Sequence, residues 1–309
     1  MSSRPKTKVN GSAPARAHHT RFLENLTQGV AVHPHRFQSY TFDTSHLKCC
    51  SEIRDGCVRA WHLAAEVYLN KITETGFGAT TLGPSVSEFG AVHLPPTPES
   101  DGVTRDPHFT DLSEVIALEL LTETEKDLII PAARVYHKES DRAQHRGIDL
   151  LGYSGEGTGD YALFVIEVMA SDENSHPPET VRAHRTQLLD ETLNEESLER
   201  LRRDLGYAHS ESEDKHKPIL NGFIATLVRD RRQLAGGVTA TAVLVRPSGL
   251  LSTLDWKPFQ DAARQFETAV LPSRILFKGV DCGLGFVELF KTVRESITGG
   301  AAEPSGTQR

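Results

Sequence analysis

The chain has 309 residues, of which 38% are hydrophobic and 25% are charged, a composition that excludes a wholly disordered protein. Its 34 basic and 42 acidic residues give a formal net charge of −8, which excludes a uniformly basic, histone-like coat for nucleic acid. Apolar runs are far shorter than the roughly 20 residues of a membrane span, so we expect a cytoplasmic protein with no membrane partner.

The two ends of the chain lack the apolar content of a packed core. Residues 1–21 carry basic but no acidic side chains and are predicted to form a disordered basic arm, while residues 299–309 are predicted to be a flexible tail. Residues 22–107 are interpreted as an N-terminal α+β subdomain, with a strand at 37–42 and a helix near 54–73. A Gly- and Pro-rich stretch then leads to a predicted domain boundary at 107.

Three cysteines are crowded within this first subdomain. Cys49, Cys50 and Cys57 lie close in sequence to His46 and His62, which allows a zinc site. No CxxC pair is present, however, and adjacent cysteines fit one ion poorly. Reduced thiols are the default interpretation, and zinc stays open.

The second half of the chain, residues 108–298, has a clearer alternation of predicted elements. Asp111 or Ser113 can cap a first helix, and strands are predicted at 129–137, 147–153 and 161–169. A helix is predicted to start near Pro177. A second helix is predicted from the spacing of Leu198, Leu201 and Leu205 and from a Glu196/Arg200 pair, and it is predicted to end at Gly206. The remaining predicted elements are a strand at 239–246, a helix at 258–270, a strand at 274–277 and a helix at 285–297. This order predicts an α/β fold: a mixed sheet flanked by helices, with the N-terminal α+β region as an extension.

Two acidic residues stand inside otherwise apolar strands of this region. Asp149 lies in the run GIDLLGY, and Glu167 lies in LFVIEVM. A carboxylate in a buried strand is costly unless it is paired or coordinated, and two on neighbouring strands repel unless a cation such as Mg²⁺ or Mn²⁺ lies between them. Such a pair is suited to phosphodiester hydrolysis.

A purely structural interpretation of the same acids is equally open from the pattern alone. Asp149 can pair with Arg146 or Arg134 as a salt bridge, and Glu167 can pair with His184 or Arg185. Perturbed carboxylates occur in both settings, so spacing does not decide between them.

The helix with acids, the strand, GIDLLGY and the IEVM strand followed by a helix resemble the core of the PD-(D/E)XK nuclease superfamily. More narrowly, RGIDLLGY after LSEVIALELL and IPAARVYHK is similar to the family that includes HamA, the nuclease subunit of the Hachiman anti-phage system. The likeness is best over residues 111–170. It implies a restriction-endonuclease-like fold, DNA cleavage, a helicase-like ATPase partner and a role in antiviral defence.

The resemblance also implies roles for individual residues. Asp149 and Glu167 match the two metal-binding acids, and Val168 occupies the position whose carbonyl often binds the metal. Met169 stands where the motif has a lysine, and methionine can neither orient water nor balance charge. Glu119, or alternatively Glu114, is expected to supply a further ligand from the preceding helix.

A cation from elsewhere in the chain can replace the missing lysine. Lys138 and His184 are the predicted substitutes, with Arg185 as a further candidate, and Arg146 and Arg185 are predicted to contact nucleic acid. The sequence therefore predicts a Mg²⁺- or Mn²⁺-dependent deoxyribonuclease with Asp149, Glu167, Lys138 and His184 as catalytic residues. The alternative is a catalytically degenerate nuclease fold that binds nucleic acid or a partner protein without cutting.

Overall fold

A computed structural model describes the following residues: 22–25, 30–32, 35–43, 51–61, 94–98, 106–136, 148–155, 161–185, 188–189, 195–229, 237–265 and 274–299. Within these residues eight strands form one sheet. They are β1 (Phe22–Glu24), β2 (Val30–Val32), β3 (His35–Phe42), β4 (Ile129–Ala133), β5 (Leu150–Ser154), β6 (Ala162–Ala170), β7 (Val238–Arg246) and β8 (Arg274–Asp281).

Seven α-helices flank this sheet in the described part of the chain. They are α1 (Ser51–Ala60), α2 (Pro107–Thr124), α3 (Glu179–Arg185), α4 (Glu195–Glu211), α5 (Lys217–Arg229), α6 (Lys257–Gln265) and α7 (Phe286–Gly299). None of these described helices combines the length and the apolar content needed to cross a bilayer.

The sheet is mixed, with the strand order β1-β3-β8-β7-β6-β5-β4 and with β2 paired to β3. β4, β5 and β6 form an antiparallel meander, whereas β6, β7, β8 and β3 are mutually parallel. Every residue of β7 is buried, as expected for a central strand of a parallel sheet that is covered on both faces. The α/β prediction with a mixed sheet flanked by helices is confirmed.

Two apolar cores lie on opposite faces of the sheet, and alternation along β6 shows how they are separated. Phe164 and Ile166 belong to one core with α1, α2 and α7. Val165 and Met169 belong to the other core with α3, α4, α5 and α6. Successive side chains of a strand point to opposite faces, so Glu167 lies on the same face as Met169.

The described residues of the N-terminal region belong to the same sheet as the rest of the chain. β3 pairs in parallel with β8, so that Tyr40 is opposite Val280. α1 packs against α2, and Gly56 permits this close approach because a Cβ there would lie 2.6 Å from Val115 Cγ1. The predicted N-terminal subdomain thus contributes strands to the sheet that carries Asp149 and Glu167.

The structure corrects the predicted start of the first helix of the second half. α2 begins at Pro107, and Asp106 caps it by accepting a hydrogen bond from the main-chain N–H of His108 at 2.8 Å. The predicted caps Asp111 and Ser113 are wrong, because both lie inside the helix and are buried. Proline is favoured in the first turn, where its missing N–H costs nothing, which explains the earlier start.

Other boundaries also differ from the predictions. β4 ends at Ala133, where a 3₁₀ turn at Arg134–Tyr136 begins, rather than continuing to 137. α4 runs past Gly206 to Glu211, so the predicted end at that glycine is wrong. α5 was not predicted, because Asn221 and Gly222 interrupt its apolar pattern. The predicted helix near 54–73 is observed as α1, and its part beyond 61 lies outside the described residues.

Candidate functional site

Asp149 and Glu167 lie side by side at one end of the β5–β6 pair. The antiparallel register places Leu150 opposite Ile166. Asp149 and Glu167 are the next residue of each chain segment, so continuing this register brings them opposite each other. The main-chain N–H of Val168 donates a hydrogen bond to Asp149 Oδ2 at 2.7 Å. The two carboxyl groups also lie within hydrogen-bonding reach of each other.

Glu114 on α2 is the third acid of this cluster. Its side chain is buried, and burial together with the negative charges of Asp149 and Glu167 raises its pKa well above the ordinary carboxyl range. Glu119, the helix acid preferred by the sequence prediction, is only partly buried, and its charge acts on the Tyr136 hydroxyl. Of these two helix acids, Glu114 is the one whose electrostatic partners are Asp149 and Glu167.

The two strand acids differ in their access to solvent. Glu167 is 3% exposed, whereas Asp149 is only partly buried. Burial raises the pKa of Asp149, although the Val168 N–H and the charge of His184 oppose the rise. Burial and the charge of Asp149 raise the pKa of Glu167 well above its usual range. These acids can all ionise only if a positive charge lies close to them. Because Asp149 is the more exposed of the two strand acids, a cation from solvent would approach the cluster at Asp149.

Three cationic side chains from three elements act on these acids. Arg134, in the 3₁₀ turn after β4, lowers the pKa of Glu114 and of Asp149. His184 on α3 acts on Asp149, and Arg200 on α4 acts on Glu167. The acid cluster is thus surrounded by positive groups that belong to the loops and helices around the sheet end.

Asp204 on α4 links this helix to the strand end that carries Asp149. Its carboxylate accepts hydrogen bonds from the Arg134 guanidinium and from the main-chain N–H of Ile148, the latter at 3.2 Å. The guanidinium of Arg134 also lies 4.6 Å from the centre of the Tyr207 ring, where a cation–π contact is favourable. Asp204 therefore fixes the backbone immediately before Asp149.

A buried arginine holds the loop between β6 and α3. Arg246, which is fully buried at the end of β7, donates to the main-chain carbonyls of Ser171 at 2.9 Å and Glu173 at 2.7 Å. This loop leads to α3, where His184 Nδ1 donates to the carbonyl of Thr180 at 2.8 Å. Since a carbonyl can only accept, Nδ1 carries a proton, and the neutral ring then has its lone pair on Nε2.

Several of the predicted site residues lie together in the structure, and others are not among the residues that it describes. Asp149, Glu167, Val168 and His184 lie at the acid cluster, Val168 through its N–H. Arg185 is partly buried at the end of α3, next to His184. Lys138 and Arg146 lie outside the described residues. Sequence reasoning did not assign Arg200 or Asp204 to the site, because both look like ordinary polar residues of an amphipathic helix.

Met169 takes no part in this polar cluster. Its side chain is 2% exposed and belongs to the same apolar core as Leu201 and Leu205 of α4. The position that holds lysine in the motif is therefore part of an apolar core in this chain.

Among the described residues, no three His, Cys, Asp or Glu side chains are arranged so that they would hold a metal ion as they stand. The donor set nevertheless fits a hard divalent cation in kind, because two carboxyls are in contact, a third interacts with both, and all have raised pKa values. Because metal binding requires ionised carboxylates, it would compete with protons for these groups.

The alternative zinc site near the N-terminus is only partly described. Cys57 is fully buried in the core on the α1 and α2 face of the sheet. Cys49, Cys50, His46 and His62 lie outside the described residues, so zinc binding there stays a prediction.

Two sequence comparisons with known proteins found no match. No protein-family model matches the chain, and no curated protein sequence matches it. What the described residues define is an α/β protein with a mixed, helix-flanked sheet and a buried acid cluster at the end of its antiparallel hairpin.

Proposed function

We propose that this protein is a metal-dependent nuclease that hydrolyses DNA phosphodiester bonds. The observation that carries the proposal is the contact between the Asp149 and Glu167 carboxyls, with Glu114 as a third buried acid beside them. Buried acids in contact destabilise a fold when they ionise, and a site for a divalent cation is a functional reason to keep them.

The order of elements supports the same proposal. A helix (α2), an antiparallel meander (β4, β5, β6), intervening helices and a parallel strand (β7) follow one another. This is the order of the PD-(D/E)XK core that the sequence resembles. Asp149 directly precedes β5, and Glu167 lies in the second half of β6.

Asp149 and Glu167 would hold Mg²⁺ or Mn²⁺, with Glu114 available as a further carboxylate. Such a cation would polarise a phosphate oxygen and lower the pKa of a water molecule. In the hydrolysis the water oxygen bonds to phosphorus and the P–O bond to the leaving sugar oxygen breaks. A carboxylate of the cluster that does not hold the ion accepts the proton of the water, and solvent gives a proton to the leaving oxygen.

His184 and the basic residues near it have a second role in the proposal. His184 Nδ1 donates to the Thr180 carbonyl, so Nε2 is the atom that can accept a proton, and the ring that has accepted it lowers the pKa of Asp149. Arg182 on the same helix is exposed and can contact a phosphate of the DNA backbone, as can the partly buried Arg185.

One observation favours a second candidate function. Met169 is buried and apolar, so the motif lysine has no direct equivalent in β6. A chain with this substitution can bind nucleic acid or a partner protein without cutting it. The helicase-like ATPase partner, the defence role and the cytoplasmic location implied by the sequence stay proposals.

Cleavage of plasmid and linear DNA tests the proposal. We expect cutting by the purified full chain with Mg²⁺ or Mn²⁺, none with EDTA, and a loss of at least about 100-fold for Asp149→Asn and Glu167→Gln. Both substitutions keep side-chain size and hydrogen bonding. Equal cleavage by the wild type and both variants would reject the assignment, and DNA binding without cleavage would favour the second function.

A further inference from the structure

The antiparallel pairing of β4, β5 and β6 ends in one row of residues, and the acid cluster lies directly beyond that row. Ala133 of β4 is opposite Leu150 of β5, and Leu150 is opposite Ile166 of β6. The next residues along the three segments are Arg134, Asp149 and Glu167. Because Asp149 precedes the first residue of β5, strand pairing alone does not fix its main chain.

The carboxylate of Asp204 on α4 bridges two of these segments just past the end of the β4–β5 pair. Its Oδ1 accepts a hydrogen bond from the guanidinium of Arg134, the residue that follows β4. Its Oδ2 accepts the main-chain N–H of Ile148, the residue before Asp149, at 3.2 Å. Asp204 thus holds together, from a helix, two chain segments that are no longer paired as strands at this end of the hairpin.

The position of Asp204 is itself set by packing. α4 contacts β4 and β5. Leu205, the neighbour of Asp204, belongs to the same apolar core as Ala132 of β4 and Leu151 of β5. Asp204 is buried, and separating a buried acid from its partners is costly. Its carboxylate is therefore held in one place relative to both strands.

Asp149 is held at a second point, through its own side chain. The main-chain N–H of Val168 donates to Asp149 Oδ2 at 2.7 Å. This bond orients the carboxylate, and the bond from Ile148 to Asp204 fixes the main chain from which that carboxylate extends. Mg²⁺ demands nearly ideal octahedral geometry, so its affinity depends on where a carboxylate ligand lies. Groups that orient a ligand without touching the ion contribute about 10–100-fold in affinity or activity.

We propose that Asp204 is a positioning residue of the proposed metal site: by holding Ile148, it sets the place of the Asp149 carboxylate. This inference rests on the proposed nuclease function and deepens it. The contacts of Asp204 are with Arg134 and Ile148. It therefore acts through Asp149, and it neither binds the ion nor takes up the proton of water. Helix α4 thus controls the metal affinity of the site without supplying a ligand.

Three full-length variants change Asp204 in different ways. Asp204→Ala removes both acceptor oxygens, whereas Asp204→Asn keeps one oxygen that can accept the Ile148 N–H. The double variant Arg134→Met/Asp204→Leu replaces the buried ion pair by apolar side chains, a change that often leaves stability the same or higher. This double variant separates stability from positioning, because it lacks an acceptor for Ile148 but leaves no charge of the pair without its partner.

Glu125→Ala is the matched control. Glu125 is also an acid in a largely buried ion pair: it is 11% exposed, and it pairs with Lys278 at 2.8 Å and with Arg36 at 2.9 Å. It lies just beyond the end of α2, about 16 Å from Glu114 along the helix axis. Its loss should therefore destabilise the fold without changing the acid cluster.

Mn²⁺ dissociation constants are measured by electron paramagnetic resonance, and DNA cleavage is measured over a series of Mn²⁺ concentrations. Both measurements use a temperature at which circular dichroism shows each variant to be folded. A residue that only supports the fold then leaves the dissociation constant unchanged, whereas a positioning residue changes it.

We expect Asp204→Ala and the double variant to bind Mn²⁺ about 10–100-fold more weakly than the wild type, and to need correspondingly more Mn²⁺ for half-maximal cleavage. Loss of the Arg134 charge alone would tighten Mn²⁺ binding, so weaker binding by the double variant reports lost positioning. Asp204→Asn should recover most of the affinity, and Glu125→Ala should bind Mn²⁺ like the wild type.

Wild-type Mn²⁺ affinity in the double variant, while Asp149→Asn binds poorly, would leave the metal site intact and remove Asp204 from it. Equal weakening in Glu125→Ala would show that the loss of any buried ion pair loosens the site, and it would also overturn the inference. If Asp204→Ala does not fold, the double variant decides in the same way. A wild type that neither binds Mn²⁺ nor cleaves DNA would overturn the proposed function and this inference together.

Discussion

Asp204 accepts the main-chain N–H of Ile148, so a carboxylate of α4 holds the residue directly before Asp149. The same carboxylate pairs with Arg134, and the two side chains are 2% and 13% exposed. A buried acid thus connects α4, the turn after β4 and the start of β5, three elements that are distant in sequence.

Replacing Asp204 is expected to destabilise the fold strongly. Asp204→Ala leaves the Arg134 charge and the Ile148 N–H without their partner, and breaking a buried pair in this way costs about 3–5 kcal/mol. Urea denaturation followed by circular dichroism measures the loss. Asp214→Ala is the control, because Asp214 is 97% exposed and pairs with Lys217 on the surface. Equal midpoints for the two variants would contradict the role of Asp204.

The raised pKa values of the acid cluster predict how stability depends on pH. The folded protein raises the pKa of Glu167 and Glu114, mainly by burial, whereas the unfolded chain titrates these groups in the ordinary carboxyl range. At a pH above the ordinary carboxyl pKa, folding is therefore accompanied by the binding of protons to these two groups. In the absence of divalent ions, this contribution to stability is fully present below the ordinary pKa and is lost as the pH rises through the raised values.

Glu167→Gln isolates this effect, since an amide cannot lose the proton that the carboxyl loses. We expect its free energy of unfolding to fall less steeply than that of the wild type between mildly acidic and mildly alkaline pH. Denaturation curves in EDTA at a series of pH values measure the slopes. Glu295→Gln, at an exposed residue, should follow the wild type. Parallel curves for Glu167→Gln and the wild type would show that the carboxyl of Glu167 ionises normally.

Divalent cations are expected to counteract the loss of stability at high pH. A cation binds the ionised acids of the folded chain, so Mn²⁺ should raise Tm, and the rise should be larger at pH 8 than at pH 6. At an ion concentration 100 times Kd the stabilisation is about 2.7 kcal/mol. Differential scanning calorimetry measures the shift, and Asp149→Asn should abolish most of it. A shift of equal size in Asp149→Asn would place the ion elsewhere.

The strands and the two strand acids could be predicted from the sequence because each signal is local. Asp149 and Glu167 stand out as single charges in apolar runs, and the meander of β4, β5 and β6 places them on neighbouring strands. The choice between Glu114 and Glu119 could not be made in this way. α2 is buried on most of its surface, so its apolar residues define no single face that would tell the two acids apart.

The basic residues around the acid cluster could not be predicted, because their positions depend on tertiary packing, which local sequence patterns do not contain. The sequence pairs Arg200 with Glu196 along a surface helix, and nothing local links it to a strand more than 30 positions earlier. The contact of Asp204 with Ile148 joins residues 56 positions apart. This contact follows from the way α4 packs on β4 and β5.

Gly152 is the residue of β5 for which the structure makes the sharpest steric prediction. A Cβ at this position would lie 2.7 Å from Leu128 Cδ1 and 2.9 Å from the main-chain oxygen of Ile129. A main-chain atom of a paired strand cannot move aside cheaply, so Gly152→Ala should cost about 1–3 kcal/mol of stability. Gly222 provides the contrast, because it lies in α5 and a Cβ there meets nothing within 4 Å. Gly222→Ala should stabilise the protein by about 1 kcal/mol, the difference in helix propensity.

The same substitution at Gly152 is expected to disturb the acid cluster, because β5 is held between β4 and β6. Any outward shift of β4 or tilt of β5 changes the register step that places Asp149 opposite Glu167. Mn²⁺ binding should therefore weaken in Gly152→Ala and stay unchanged in Gly222→Ala. Urea midpoints and Mn²⁺ titrations on the two variants provide the comparison. A Gly152→Ala protein as stable as the wild type would mean that β4 is not fixed against β5 at Ile129, contrary to the contact described here.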